Sequence, residues 1–148
     1  MVDGPLAGGL PKAVELYVAN DIPDLSIYGV GSANNGNPST GPEFTFPATA
    51  ATAGDFIYLA TEGPGFTSFF GFAPDFIHAQ ATNINGDDAI ELFLGGDVVD
   101  VFGTVGMSGT GQPWEYTDGW AYRVDGTGQD GAAFTPDNWS FSGPRLGQ

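Results

Sequence analysis

An all-β domain, built of short strands packed as a sandwich, is the fold class this sequence predicts, and three observations carry that reading. Its 148 residues and 15.3 kDa suit a single domain, residues 1–148, with a core of its own. The 24 glycines and 11 prolines interrupt helices and punctuate turns, yet they follow no three-residue period, which excludes collagen. Hydrophobic residues make up 41% of the chain, with 12 Phe, 5 Tyr and 3 Trp, enough apolar surface to exclude disorder despite the charge.

Residues 1–11 (MVDGPLAGGLP) are Gly- and Pro-rich and are expected to form a loose N-terminal arm. In residues 13–18 (AVELYV), alternation puts Val14, Leu16 and Val18 on one strand face and Glu15 and Tyr17 on the other. Asn20-Asp21 supplies a turn, residues 25–30 a second strand, and residues 31–42 (GSANNGNPSTGP) a polar loop. Residues 43–46 read as a short strand and residues 56–60 (FIYLA) as a core strand. Phe66, Phe69 and Phe70, spaced i, i+3, i+4, predict one short helical segment near residues 65–71 that covers an end of the sandwich. Residues 83–88 (NINGDD) carry the strongest turn signal in the chain. Residues 89–94 and 98–102 form a hairpin around Gly95-Gly96-Asp97. Residues 119–124 (GWAYRV) give a further strand, residues 126–131 a turn, and Trp139-Ser140-Phe141 a terminal strand.

Residues 13–25 (AVELYVANDIPDL) align without gaps to residues 89–101 (AIELFLGGDVVDV), and the match includes the polar pairs Glu15/Glu91, Asp21/Asp97 and Asp24/Asp100. Binary patterning explains matching apolar positions more easily than matching polar ones, so two equivalent hairpins, one per half of the chain, are expected.

Charge narrows the partners. Three cations, Lys12, Arg123 and Arg145, face 18 Asp plus Glu, for a formal net charge of -15. Such a surface repels phosphate backbones and anionic membranes, which argues against direct nucleic-acid binding. With no Cys there is no disulfide, thiol nucleophile or Cys-type zinc site. No apolar run approaches the roughly 18 residues that span a bilayer, so no membrane insertion is expected. The chain opens without a basic or apolar leader, so export would make it a trimmed segment.

Asn85-Gly86-Asp87-Asp88-Ala89-Ile90-Glu91-Leu92-Phe93, followed by Gly96-Asp97-Val98-Val99-Asp100-Val101-Phe102-Gly103, resembles the signature of bacterial lamin-tail domains. Lys12-Ala13-Val14-Glu15-Leu16-Tyr17, Asp24-Leu25-Ser26-Ile27-Tyr28 and Gly54-Asp55-Phe56-Ile57-Tyr58-Leu59 are similar to its earlier elements, so the resemblance spans roughly residues 12–125. It implies an immunoglobulin-like β-sandwich serving as an accessory module of a secreted or cell-surface bacterial protein, in some cases beside a nuclease- or phosphatase-type hydrolase. Two stretches depart from the family pattern. Residues 3–11 stand where an initial strand and hairpin would be, and residues 114–120 (WEYTDGW) are longer and more aromatic than the usual tail.

No catalytic constellation is visible. His78 is the only histidine and no G-x-S-x-G elbow accompanies it, so no enzyme activity is expected. Calcium is the most credible cofactor, since hard cations take oxygen ligands from irregular turns. Asn85, Asp87 and Asp88 offer three such ligands in four residues, and Asp125 and Asp130 bracket a Gly-rich turn. The competing reading of the first cluster is turn chemistry, with side chains satisfying their own backbone. Glu15, Asp24, Glu91, Asp100 and Arg123 read as structural polar groups; Asp100 sits beside Val98 and Phe102 on an apolar face and needs a partner, with Arg123 the obvious one and Glu91 its competitor.

Two readings stay open for the aromatic set. It packs as a satellite core, or Trp114, Tyr116 and Trp139 form an exposed platform for sugar rings, with Trp120 and Tyr122 inside. The function expected is attachment by a non-catalytic binding or adhesion module, its partner a polysaccharide, an envelope component or a protein domain. The alternatives are a structural spacer or accessory domain of a hydrolase, and a calcium-dependent carbohydrate-binding domain.

Overall fold

The computed structural model describes residues 1–145 of the chain. Its strands are β1 (Val2–Leu6), β2 (Leu10–Tyr17), β3 (Tyr28–Ala33), β4 (Phe44–Thr45), β5 (Phe56–Ala60), β6 (Phe76–Ile77), β7 (Ala89–Leu94), β8 (Asp97–Phe102), β9 (Ala121–Arg123) and β10 (Trp139–Phe141), with a helix α1 (Pro64–Phe70). They build two four-stranded sheets, ordered β1-β2-β5-β6 and β4-β3-β7-β8, and a β9-β10 ribbon. All pairings are antiparallel except β5 with β6. The chain is an all-β sandwich with one short helix.

Period-two alternation decides what each sheet turns inward. Val14, Val18, Ile57 and Leu59 of the first layer meet Val30 and Ile90 of the second in a buried core, with Leu16 and Leu92 packed at its margin. The outer face of the first sheet carries Ala13 and Ala60, and α1 lies over them through buried Phe66. The helix therefore covers a sheet face, where the sequence placed it at an end of the sandwich. On the second sheet, the 37–43 loop covers the outer face. Gly31 lets it approach, because a Cβ there would strike the Gly41 carbonyl, and Ser39 Oγ donates to the buried Glu91 carboxylate.

The loose arm expected over residues 1–11 is instead β1 and its turn into β2. An ion pair holds it. Lys12 Nζ donates to Asp3 Oδ1 at 2.7 Å, to the Ile84 carbonyl at 2.6 Å and to Asn85 Oδ1 at 2.9 Å, and both charged residues are buried. All three ammonium protons are satisfied, which is what burial of a charge demands. β1 also reaches the ribbon: Val2 bridges Trp120, and Asp3 N–H donates to the Gly119 carbonyl at 3.0 Å.

The two hairpins expected from the internal match are not equivalent. Their first halves correspond, since β2 and β7 are each a central strand of their sheet. Their second halves diverge. Residues 97–102 return as β8, whereas Ile22 leaves its strand to bridge Ala51 and Asp24 caps the 3-10 turn Leu25–Ile27. β8 also carries a bulge between the pairs Leu92/Asp100 and Phe93/Val98, which moves Val98 off the face that Asp100 shares with Phe102.

Replacing Lys12 by Met would strand the Asp3 carboxylate without a counter-charge. Chemical denaturation of Lys12→Met is expected to show a loss of about 3–5 kcal/mol, and a change below about 1 kcal/mol would contradict the buried ion pair.

Candidate functional site

Register with β1 selects which aromatic rings reach solvent. Because Val2 pairs with Trp120, Trp120 shares the outer face of the first sheet, and Tyr122, two residues on, shares it too. They are 38% and 55% exposed, and their rings stack at 5.0 Å with an interplanar angle of 23°. The facing wall comes from α1. Phe69 and Phe70 follow the buried Phe66 by three and four residues but extend beyond what it covers, and both remain exposed. Gly71, at a φ of 83°, ends the helix and returns Phe72 onto Tyr58, 4.9 Å between ring centroids. Ala13, Glu15 and Tyr58 form the floor, while Asp118 and Arg145 stand among the lining residues, around a hollow of about 400 Å³. A second pair, Tyr17 and Phe56, continues the aromatic surface along the same sheet face at 5.3 Å.

Glu15 is exposed and faces Tyr58 across the β2-β5 ladder. Burial raises the Tyr58 pKa, and hydrogen bonding to Glu15 together with the Glu15 and Asp75 charges raises it further. The Glu15 carboxylate stands beside the Tyr58 phenol, so the floor presents negative charge beneath apolar walls.

The aromatic residues expected to form a platform lie elsewhere. Trp114 and Tyr116 are 4% and 0% exposed and pack on Phe102 at 5.7 and 5.5 Å. Trp139 is partly buried, 5.0 Å from Phe102. These rings form a second core beneath the ribbon, the packing reading of the set, so Trp114, Tyr116 and Trp139 make no exposed platform; the rings that meet solvent are Trp120 and Tyr122, the pair expected inside. The physical reason is strand parity, since Ala121 and Arg123 take the inward positions that the sequence reading gave to their neighbours.

Arg123 ties that second core together. Its guanidinium pairs with Asp100 at 2.5 Å and Asp130 at 3.3 Å and lies 4.3 Å over the Trp139 ring. Asp130 also accepts from Asn138 Nδ2 at 2.7 Å, Trp139 Nε1 at 3.0 Å and Thr135 N–H at 3.2 Å. Burial opposes its ionisation, but these donors outweigh burial and hold the carboxyl below the usual Asp range.

Of the residues expected as calcium ligands, Asn85, Asp87, Asp88 and Asp130 each accept hydrogen bonds from protein donors. Asp88 Oδ1 and Oδ2 accept the Asn35 and Asn85 N–H groups at 2.7 and 2.9 Å; burial raises its pKa, against the pull of those donors. Asp87 Oδ2 takes Thr110 Oγ1 at 2.7 Å, and Asn85 is engaged by Lys12. Gly86, at a φ of 79°, fits because a Cβ would collide with Thr117 N, and its carbonyl accepts Tyr116 N–H at 2.8 Å. Asp125 is exposed on its turn, separate from the partners that hold Asp130. Among the described residues no group of three or more Asp, Glu, His or Cys side chains is placed to hold a metal ion.

The remaining polar candidates also have local duties. Glu91 anchors the 37–43 loop, and Asp24 accepts Ser26 N–H at 2.8 Å, its carboxyl held below the usual range by the Ser26 hydroxyl and N–H. His78 Nδ1 accepts Ala81 N–H at 3.2 Å while its ring packs 5.4 Å from Phe44.

Asp130 has a depressed folded pKa, so its contribution is present above the ordinary Asp value of about 4 and is lost as pH falls through the lowered value. Asp130→Asn is expected to cost about 2 kcal/mol at neutral pH and to flatten the acid limb of the stability profile; an unchanged acid limb would contradict this assignment. Thermal melting with and without a calcium chelator is expected to coincide, because both oxygens of Asp88 and of Asp130 accept protein donors, which leaves Asp87 Oδ1 the one buried carboxylate oxygen of the two clusters without a donor among the described residues. A chelator-induced fall in Tm would show a structural cation. Comparison with protein-family models, with curated proteins and with solved structures returned no match for this chain.

Proposed function

We propose that this sandwich is a non-catalytic binding or adhesion module of a secreted or surface-attached bacterial protein, holding a polymer, an envelope component or a neighbouring domain. The observation that carries the reading is the open aromatic hollow, in which the Trp120 and Tyr122 stack faces Phe69, Phe70 and Phe72. Single exposed apolar side chains are ordinary on a protein surface, whereas contiguous ones mark a contact surface. Aromatic side chains also supply large contact areas with few rotatable bonds, which keeps the entropy cost of binding low.

Three further points support attachment over turnover. His78 is taken up by the Ala81 backbone and Phe44, away from the lining of the hollow. Glu91, Asp100 and Asp130 are committed to Ser39 or Arg123. The resemblance to bacterial lamin-tail domains favours an accessory module, and a hydrolase partner domain would be one natural occupant of the hollow.

Trp120→Ala combined with Tyr122→Ala removes one wall of the hollow and leaves Ala121 and Arg123 in place. Retention on insoluble chitin, cellulose and peptidoglycan is the measurement. The unmodified protein is expected to be retained by at least one, and the double variant to bind about tenfold more weakly, a loss of about 1.4 kcal/mol, with Tm preserved. Equal retention of the two proteins would overturn the assignment of the hollow.

A further inference from the structure

The hollow's chemistry is more specific than its shape. Its walls offer ring faces and little hydrogen bonding, for Phe69, Phe70 and Phe72 carry no polar atom in their side chains. Its floor holds the exposed Glu15 carboxylate, and Asp118 adds a second acid to the lining. Lys12 and Arg123 are spent on Asp3, Asp100 and Asp130, so the field of a chain with formal charge -15 reaches the hollow little offset by them.

Resting on the reading of this hollow as the attachment surface, we propose that it is an aromatic cage for an organic cation, an alkylammonium of the choline type. A quaternary ammonium donates no conventional hydrogen bond, is attracted to the faces of Trp, Tyr and Phe, and gains most where it is desolvated. Glu15 supplies the counter-charge from below. A neutral sugar would stack on the same ring faces but gains nothing from the negative field that favours a cation. An anion would meet Glu15, Asp118 and the net negative field. Among the described residues Arg145 brings an opposing side-chain charge to the lining, which weakens the site for a cation; the Met1 amino group lines it too, donating to the Ala121 carbonyl, with its pKa lowered by burial to about 6.

Titration calorimetry with choline chloride at constant ionic strength tests the cage, beside the neutral analogue in which carbon replaces nitrogen. Choline is expected to bind about tenfold more tightly than the neutral analogue. Glu15→Gln and Trp120→Ala are each expected to weaken it about tenfold, and Arg145→Gln to strengthen it. Phosphatidylcholine vesicles run in parallel distinguish a lipid headgroup from a free solute as the source of the same cation, and binding to either form that depends on Trp120 and Glu15 supports the cage. Equal affinity for the neutral analogue, indifference to Glu15→Gln and Trp120→Ala, or no binding to either choline form overturns it. If choline fails while retention on polysaccharide still depends on Trp120, only the cationic ligand falls; failure of both removes the hollow as a binding surface.

Discussion

The Lys12 ammonium is the contact on which the arrangement of this molecule depends. It joins β1 to β2 through Asp3, and both to the 83–88 turn through the Ile84 carbonyl and Asn85. That turn in turn holds the 109–117 segment, since Asp87 and Gly86 carbonyls accept the Gly109 and Tyr116 N–H groups at 2.7 and 2.8 Å. Asp3 completes the circuit by accepting Asp118 N–H at 2.9 Å, two residues before Trp120. A buried charge is worth little as a net source of stability but is expensive to leave incomplete, so it selects one arrangement of its partners over others. Here the partners include the backbone that aims the exposed aromatic wall.

Cations are scarce in this chain, and their placement shapes its surface. Lys12 sits between strands and a turn, while Arg123 sits between β8, β9 and the 128–130 turn, where it also accepts packing from Trp139. Each neutralises acids that face inward. Apart from the buried Asp88 and Glu91, the acids left over are exposed or partly exposed, and their field draws positive solutes toward the chain. Aromatic packing divides along the same line. Trp114, Tyr116 and Phe134 gather around Phe102 under the ribbon, whereas Phe69, Phe70 and the Trp120 and Tyr122 stack gather outside the first sheet and remain exposed.

Local patterns made much of the architecture legible. Alternation marked β5, β7 and β8, and the i, i+3, i+4 phenylalanines marked α1, because these signals involve only neighbours in sequence. The pairing of Arg123 with Asp100 was legible from scarcity, since an inward acid had few cations to choose from. β1 was not legible, because a Gly- and Pro-rich stretch becomes a strand here through an ion pair and a ladder to residues 119–121. The repeat was legible only in its strand halves, for Ile22 is recruited by Ala51, a partner the matching positions near residue 98 do not have.

The amino-acid sequence by itself determined the β class, the helix position, the acidic character and the presence of aromatic side chains in excess of what one small core needs. Only tertiary structure decided which of those rings meet solvent. Trp120 and Tyr122 differ from Ala121 and Arg123 by a single step along one strand, and the face each pair takes is set by register against Val2, more than a hundred residues away. Strand side chains alternate with a period of two, so one step of register exchanges inside for outside, and no local pattern carries that information.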